Sequence, residues 1–236
     1  MSLLSVVQDV CEVVGVERLP SVFSNLNIAR TQQEMLTCAN EAAQSTAYDT
    51  RDWTDLIVTT TMTGDGVTAG FPLPADYHRM LVDSNVWTSL SALVPLRFIN
   101  SYDQWLRRAA NSYWDNRGQY IIIGGKLLIQ PALAAGATAT FAYLSKNIIN
   151  LTSGGRGVEF AADTDTYVLA ERLLKLCMIY KWKKAKGSPY AEDMGDYYDA
   201  LTMKMGHDQP APILVGSAPL STQISATVAY PWPLPS

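Results

Sequence analysis

Between Gln209 and Ser236 the chain contains no Asp, Glu, Lys or Arg. A tail that stays free in water normally relies on charge and on a scarcity of aromatics. This one has Tyr230 and Trp232 among six prolines, so it reads as a segment completed by another molecule. A disordered Pro-rich end is the plainer alternative. Histidine is scarce as well: only His78 and His207 occur, neither with a second His or a Cys at ligand spacing, which argues against a metal centre. Cys11, Cys38 and Cys177 are an odd, widely spaced set that suits buried thiols in a reducing compartment better than a disulfide framework. Outside the tail the longest uncharged run, residues 127–145, is interrupted by Pro131 and Gly136, and proline likewise bars a spanning helix inside the tail. The N-terminal MSLLSVVQDVCEVVG has no basic region and already carries Asp9 and Glu12, unlike a secretory signal. These absences point to a product of the cytoplasm.

Charge is thin elsewhere too. Charged residues make up 17% of the chain against 48% hydrophobic, a balance that suits a surface largely covered by neighbours. The net charge of −4 argues against dedicated nucleic-acid binding, which rests on a basic face. No P-loop, nucleophile elbow, His-Glu-x-x-His or Cys-x-x-Cys is present. Gly154-Gly155-Arg156-Gly157 lacks the strand–loop–helix surroundings of a phosphate loop and reads as a flexible connector. Asp163 and Asp165 open a helical pattern, where Thr164 or Asp165 serves as a cap and a catalytic carboxylate pair is the weaker reading. The expectation is neither an enzyme nor a cofactor protein.

The chain is long enough, at 236 residues, for a substantial core. Leu3, Val6, Val7, Val10 and Val14 form one helical stripe that Gly15 can end. A second helix runs from about Asn27 to Ser45. After Trp53 the period changes: Leu56 to Met62 is β-branched, Asn85 to Phe98 offers two short strands either side of Ser91, and Ala137 to Lys146 forms a long strand. Gln119 to Gln130 is a hairpin turning at Gly124-Gly125, and Ser101 to Ala110 is a short helix. Helical pattern returns from Tyr167 to Lys186, apolar on nearly every face, and again after Ser188-Pro189. The fold class is therefore α+β. A helical bundle, residues 1–52 and 148–206, is interrupted by a β-rich insertion, 53–147, and followed by an extended Pro-rich arm, 207–236.

Two clusters remain. Lys181, Lys183, Lys184 and Lys186 crowd the end of one helix; they complement its dipole on a solvated face, or form a basic ring once copies assemble. The aromatics of the insertion, among them Trp87, Trp105 and Trp114, are mostly explained by core packing.

An ordered series of segments resembles the head-to-tail adaptor (connector) proteins of short-tailed bacteriophages. It comprises Phe71-Pro72-Leu73-Pro74-Ala75-Asp76-Tyr77-His78-Arg79-Met80 with Asn85-Val86-Trp87, then Tyr143-Leu144-Ser145-Lys146-Asn147. Phe160-Ala161-Ala162-Asp163-Thr164-Asp165 follows, leading into Glu171-Arg172-Leu173-Leu174, and lastly Trp182-Lys183-Lys184-Ala185-Lys186-Gly187 with Tyr190-Ala191-Glu192-Asp193. The resemblance implies a virion protein of the head–tail junction, assembled in the host cytoplasm as a closed ring of about twelve copies. Such a ring joins the portal protein to the tail nozzle protein and surrounds the exit channel of the genomic DNA without reading its sequence. A different tail or nozzle structural protein, or a DNA-binding module resting on the lysines, are the alternatives. A head-to-tail ring needs two different faces on each copy, and Leu174, Met178 and Tyr180 of the apolar helix are candidates for one. The four lysines become candidates for the channel wall. In the arm, Thr222, Ile224, Ala226, Val228 and Tyr230 alternate as in a strand. Ile213, Leu214, Leu220, Ile224, Val228, Tyr230 and Trp232 are thus expected to dock on the portal or a neighbouring subunit.

Overall fold

The computed structural model describes residues 2–23, 29–82, 84–89, 94–110 and 117–208. The fold is α+β. Helix α1 (Leu3–Val14) buries Leu3, Val6, Val7, Val10 and Cys11 and ends at Gly15, whose φ of 73° supplies the left-handed turn. Its start is stitched to a distant loop: the Leu3 and Leu4 amides donate to the carbonyls of Asp165 and Asp163 at 2.8 and 3.0 Å. First-turn amides have no partner within a helix, so the loop completes it. Helix α2 (Ala29–Tyr48) buries Met35, Ala39, Ala42, Ala43 and Ala47, a face small enough for close helix approach. Helices α4 (Glu171–Ala185) and α5 (Ala191–Asp208) close the bundle, and α1, α2 and α5 all pack against α4.

Between α2 and α4 the chain leaves the bundle. A short 3-10 turn (Thr54–Leu56) leads into β1 (Ile57–Thr63), β2 (Gly70–Pro72), β3 (Tyr77–Met80), β4 (Trp87–Thr88) and β5 (Arg97–Phe98). Helix α3 (Tyr102–Ala110) follows, then β6 (Gln119–Ile123), β7 (Lys126–Gln130) and β8 (Thr138–Ser145). One sheet has the order β1-β8-β3, with β4 also on β8; the other has the order β2-β7-β6-β5. A third, small sheet of β9 (Ile149–Asn150), β10 (Arg156–Gly157) and β11 (Thr166–Tyr167) precedes α4.

Strand β8 belongs to both cores because its side chains alternate. Ala139, Phe141 and Tyr143 join Met62, Phe71, Leu127 and Ile129 between the two larger sheets, while Leu144 is buried with the helices. Trp53 and Leu56 are also fully buried in the helical core, and the Trp53 Nε1–H donates to the Thr46 carbonyl at 2.9 Å. The hairpin turns at Gly124 and Gly125 with φ of 58° and 71°, as two positive-φ glycines should. Both of its faces are covered: Ile121 and Leu128 meet Ile99 and Trp105 of the α3 side, opposite Leu127 and Ile129.

Several helix boundaries depart from the sequence reading. The helix expected from Tyr167 begins at Glu171, because Thr166 and Tyr167 pair with Asn150 and Ile149 as a strand. Neither Thr164 nor Asp165 caps it; the N-cap is Ala170, with no side-chain bond. Asp165 instead accepts amide bonds from Thr152, Ala161 and Ala162 at 2.7–2.8 Å. Burial pushes its carboxyl up, but these amides more than offset that and hold it below the ordinary carboxylate value. The last helix starts at Ala191, with the Tyr190 carbonyl accepting from the Met194 amide, rather than at Ser188-Pro189. It runs through Asp208, two residues beyond the expected edge of the bundle. The glycines at 154 and 155 form the turn that connects β9 to β10. There the Gly154 amide donates to the Leu151 carbonyl, and the Leu151 amide to the Gly155 carbonyl. Ser91 and Trp114 lie outside the described residues.

Candidate functional site

The lysine-rich end of α4 faces the first half of α2. The two helices run antiparallel, as the contacts Glu34 with Lys186, Glu41 with Lys181 and Ser45 with Cys177 show. Between them lies a groove of about 1030 Å³ lined by Arg30, Thr37 and Cys38 from α2 and by Tyr180, Trp182 and Lys184 from the α4 side, among others.

The lysines are not a free basic patch. Lys181 pairs with Glu41 at 2.9 Å, Lys183 with both Asp193 oxygens at 2.7 and 2.8 Å, and Lys186 with Glu34 at 2.7 Å. Lys186 also lies 4.7 Å above the Trp182 ring. Glu34, between Lys186 and Arg30, is held below its usual value by those two hydrogen bonds. Of these four, only Lys184 is exposed with no acidic partner among the described residues. Three of the four expected channel lysines thus tie α4 to α2 and α5.

The expected subunit face also changes. Leu174 and Met178 are 1% and 0% exposed within the single chain and so offer nothing to a neighbour. The helix is apolar all round because α1, α2 and α5 of its own chain surround it. Of that set Tyr180 alone remains partly exposed; its ring packs 5.3 Å from Tyr197. Burial raises the Cys38 thiol to about 12 and raises Cys11 and Cys177 as well, which leaves all three thiols protonated and unreactive near neutral pH.

The start of the arm is anchored by residues the sequence did not single out. Asp208, whose side chain is 3% exposed, pairs with Arg51 at 3.4 Å and accepts from the Thr54 hydroxyl at 2.6 Å. Arg51 also donates to the Met205 carbonyl at 2.8 Å, satisfying a C-terminal carbonyl that the helix itself leaves open. The chain therefore leaves α5 from a fixed point beside the entrance to the β-rich part. Arg51 and Asp208 are 157 positions apart, and no local pattern marks such a pair. Ile213, Leu214, Leu220, Ile224, Val228, Tyr230 and Trp232 lie outside the described residues.

Two of the segments that carry the adaptor resemblance, 71–80 and 143–147, meet beside the end of α2. Asp76 accepts from the Tyr143 hydroxyl at 2.8 Å and from Ser145 at 2.7 Å. The Lys146 amide donates to the Asp76 carbonyl at 2.7 Å. His78 stacks on Tyr48 of α2 at 4.3 Å, and Arg79 pairs with Asp52. Asp163 accepts from Ser21 and from the Val22 amide, closing the loop before α4 onto the chain after α1. These contacts tie the parts of the fold together. Among the described residues no cluster of His, Cys, Asp and Glu is arranged to hold a metal ion, and no helix is long and apolar enough to cross a membrane.

No curated protein matches the chain. A family model described as SU10 adaptor protein matches residues 1–212, the whole of the described body and the first residues of the arm. The chain belongs to this family of bacteriophage structural adaptors.

Proposed function

We propose that the protein is the head-to-tail adaptor of a short-tailed bacteriophage. Copies form a closed ring, of about twelve by the family resemblance, that joins the portal to the tail nozzle around the DNA exit channel. The observation that carries this reading is the adaptor family match over residues 1–212. The low charge of the chain and the neutral aromatic arm, launched from an anchored helix end, support it. In this reading the arm, residues 209–236, docks on the portal or a neighbouring subunit through its apolar residues, with Tyr230 and Trp232 as anchors. Its 28 residues reach up to roughly 90–100 Å when extended.

The bundle, 1–52 with 148–206, and the insertion, 53–147, act as two units in this assembly. Their largely separate buried clusters support the division, although Trp53, Leu56 and Leu144 of the insertion complete the helical core. DNA passes through the ring without sequence-specific contact. The ion pairs of Lys181, Lys183 and Lys186 leave little free charge there, so we do not assign those three to the channel wall. Native mass spectrometry of the full chain mixed with its authentic portal tests the reading: one closed species of defined copy number is expected. A chain that stays monomeric beside the portal overturns it.

A further inference from the structure

Helix α5 turns one side to solvent. Glu192, Asp196, Asp199 and Met203 fall at i, i+4, i+7 and i+11, one line along the helix. All four are exposed, Met203 at 65%. Beside that line stand Gly195 and Gly206, both inside the helix. Glycine weakens a helix interior, and a Cβ added at either position would meet nothing within 4 Å. Nothing in the chain's own packing calls for glycine at these two places. Glycine is what a close approach by another backbone requires.

The α2–α4 groove carries a modest excess of the opposite charge, with Lys184 outside its internal ion pairs. Its lining includes Arg30, Lys181, Lys184 and Lys186 against Glu34 and Glu41, four positive side chains against two negative. Its apolar part is made by Cys38, Tyr180 and Trp182. We propose that the outer face of α5 on one copy docks in the α2–α4 groove of the next copy. The acidic line meets the basic rim, the two glycines admit the neighbouring helices, and Met203 reaches apolar surface. The two faces belong to different helices, so the contact is heterologous and propagates head to tail until the ring closes. This inference rests on the ring reading and names its two faces.

Charge exchange separates the two ideas. The groove variant carries Arg30→Glu with Lys184→Glu; both residues are exposed, and neither ties α4 to its neighbours. The helix variant carries Asp196→Lys with Asp199→Lys. With authentic portal present, each variant alone should lower the ring fraction about tenfold or more, because like charges then face each other. A chain in which every copy carries both sets of changes should recover most of it. Gly195→Ala should raise the melting temperature of the monomer, since alanine favours helix, while Gly195→Leu should block the ring in a folded chain.

Wild-type rings alongside undiminished rings of either variant overturn the docking and leave the ring reading standing. A combined variant no better than the singles also overturns it. A groove variant that assembles normally but loses DNA retention assigns the groove to DNA instead. A wild-type chain that forms no ring removes the ring reading itself, and this one with it.

Discussion

Helices α4 and α5 lie side by side and are formed by nearly opposite sequences. Helix α4 buries Leu173, Leu174, Cys177, Met178, Ile179 and Trp182 in fifteen residues; α5 buries only Tyr197, Ala200 and Leu201 in eighteen. From the sequence alone the apolar helix is the natural interface, and α5 only a final amphipathic piece. The structure buries α4 within its own chain and leaves one side of α5 exposed. An apolar helix at the centre of a chain is consumed by that chain, since three other helices compete for its surface. The side of α5 that carries Glu192, Asp196, Asp199 and Met203 stays exposed, and it is the face that the proposed docking uses.

Removing the arm should show the largest effect. A chain ending at Asp208 should keep the melting temperature of the full protein yet lose stable attachment to portal-bearing heads. Heads incubated with each form and washed report this directly, and equal retention would show the arm to be dispensable.

The contrast between the helices is sharpest in a methionine pair. Met178→Ala, at a fully buried site, should cost about 2–5 kcal/mol by the lost contacts and the cavity left behind. Met203→Ala, at 65% exposure, should stay within about 0.5 kcal/mol. Urea titration of the two monomers checks both values, and similar costs would break the distinction drawn here.

At the far end of α5, Asp208→Ala should cost about 2–3 kcal/mol, because it leaves Arg51 with an uncompensated, largely buried charge. The loss should concentrate in the last turn, read as faster amide exchange from Met205 to Asp208 with the α4 amides little changed.

The loop entering α4 gives a smaller and pH-dependent effect. Asp165→Asn should cost about 1–3 kcal/mol at neutral pH, since three amides lose a charged acceptor. The folded-state value of Asp165 lies below its unfolded value. Its contribution is therefore present above the unfolded value, near pH 4, and fades as pH falls through the folded one. The difference in melting temperature between wild type and the Asp165→Asn variant should accordingly shrink on acidification below about pH 4. A gap that stays constant between about pH 7 and about pH 3 contradicts the placement of a charge at that site.

Local signals were legible wherever the chemistry was local. The stripe of α1, its Gly15 stop and the Gly124-Gly125 turn depend on side-chain period and positive φ, which neighbouring residues dictate. The sequence misplaces the start of α4 because the β-branched Thr166 and the aromatic Tyr167 suit either a helix end or a strand, and pairing with Ile149 and Asn150 decides it. The lysines look like a patch because their acidic partners are remote: Glu41 and Glu34 stand 140 and 152 positions from Lys181 and Lys186.

By itself the sequence determined the α+β order of elements, the neutral arm and the membership in an adaptor family, because periodicity, composition and an ordered series of motifs are properties of a one-dimensional string. Only the tertiary structure decided which apolar surface was already spent, which charges were neutralised and where the arm begins. Those depend on contacts between residues such as Arg51 and Asp208, whose proximity exists only after the chain has closed on itself.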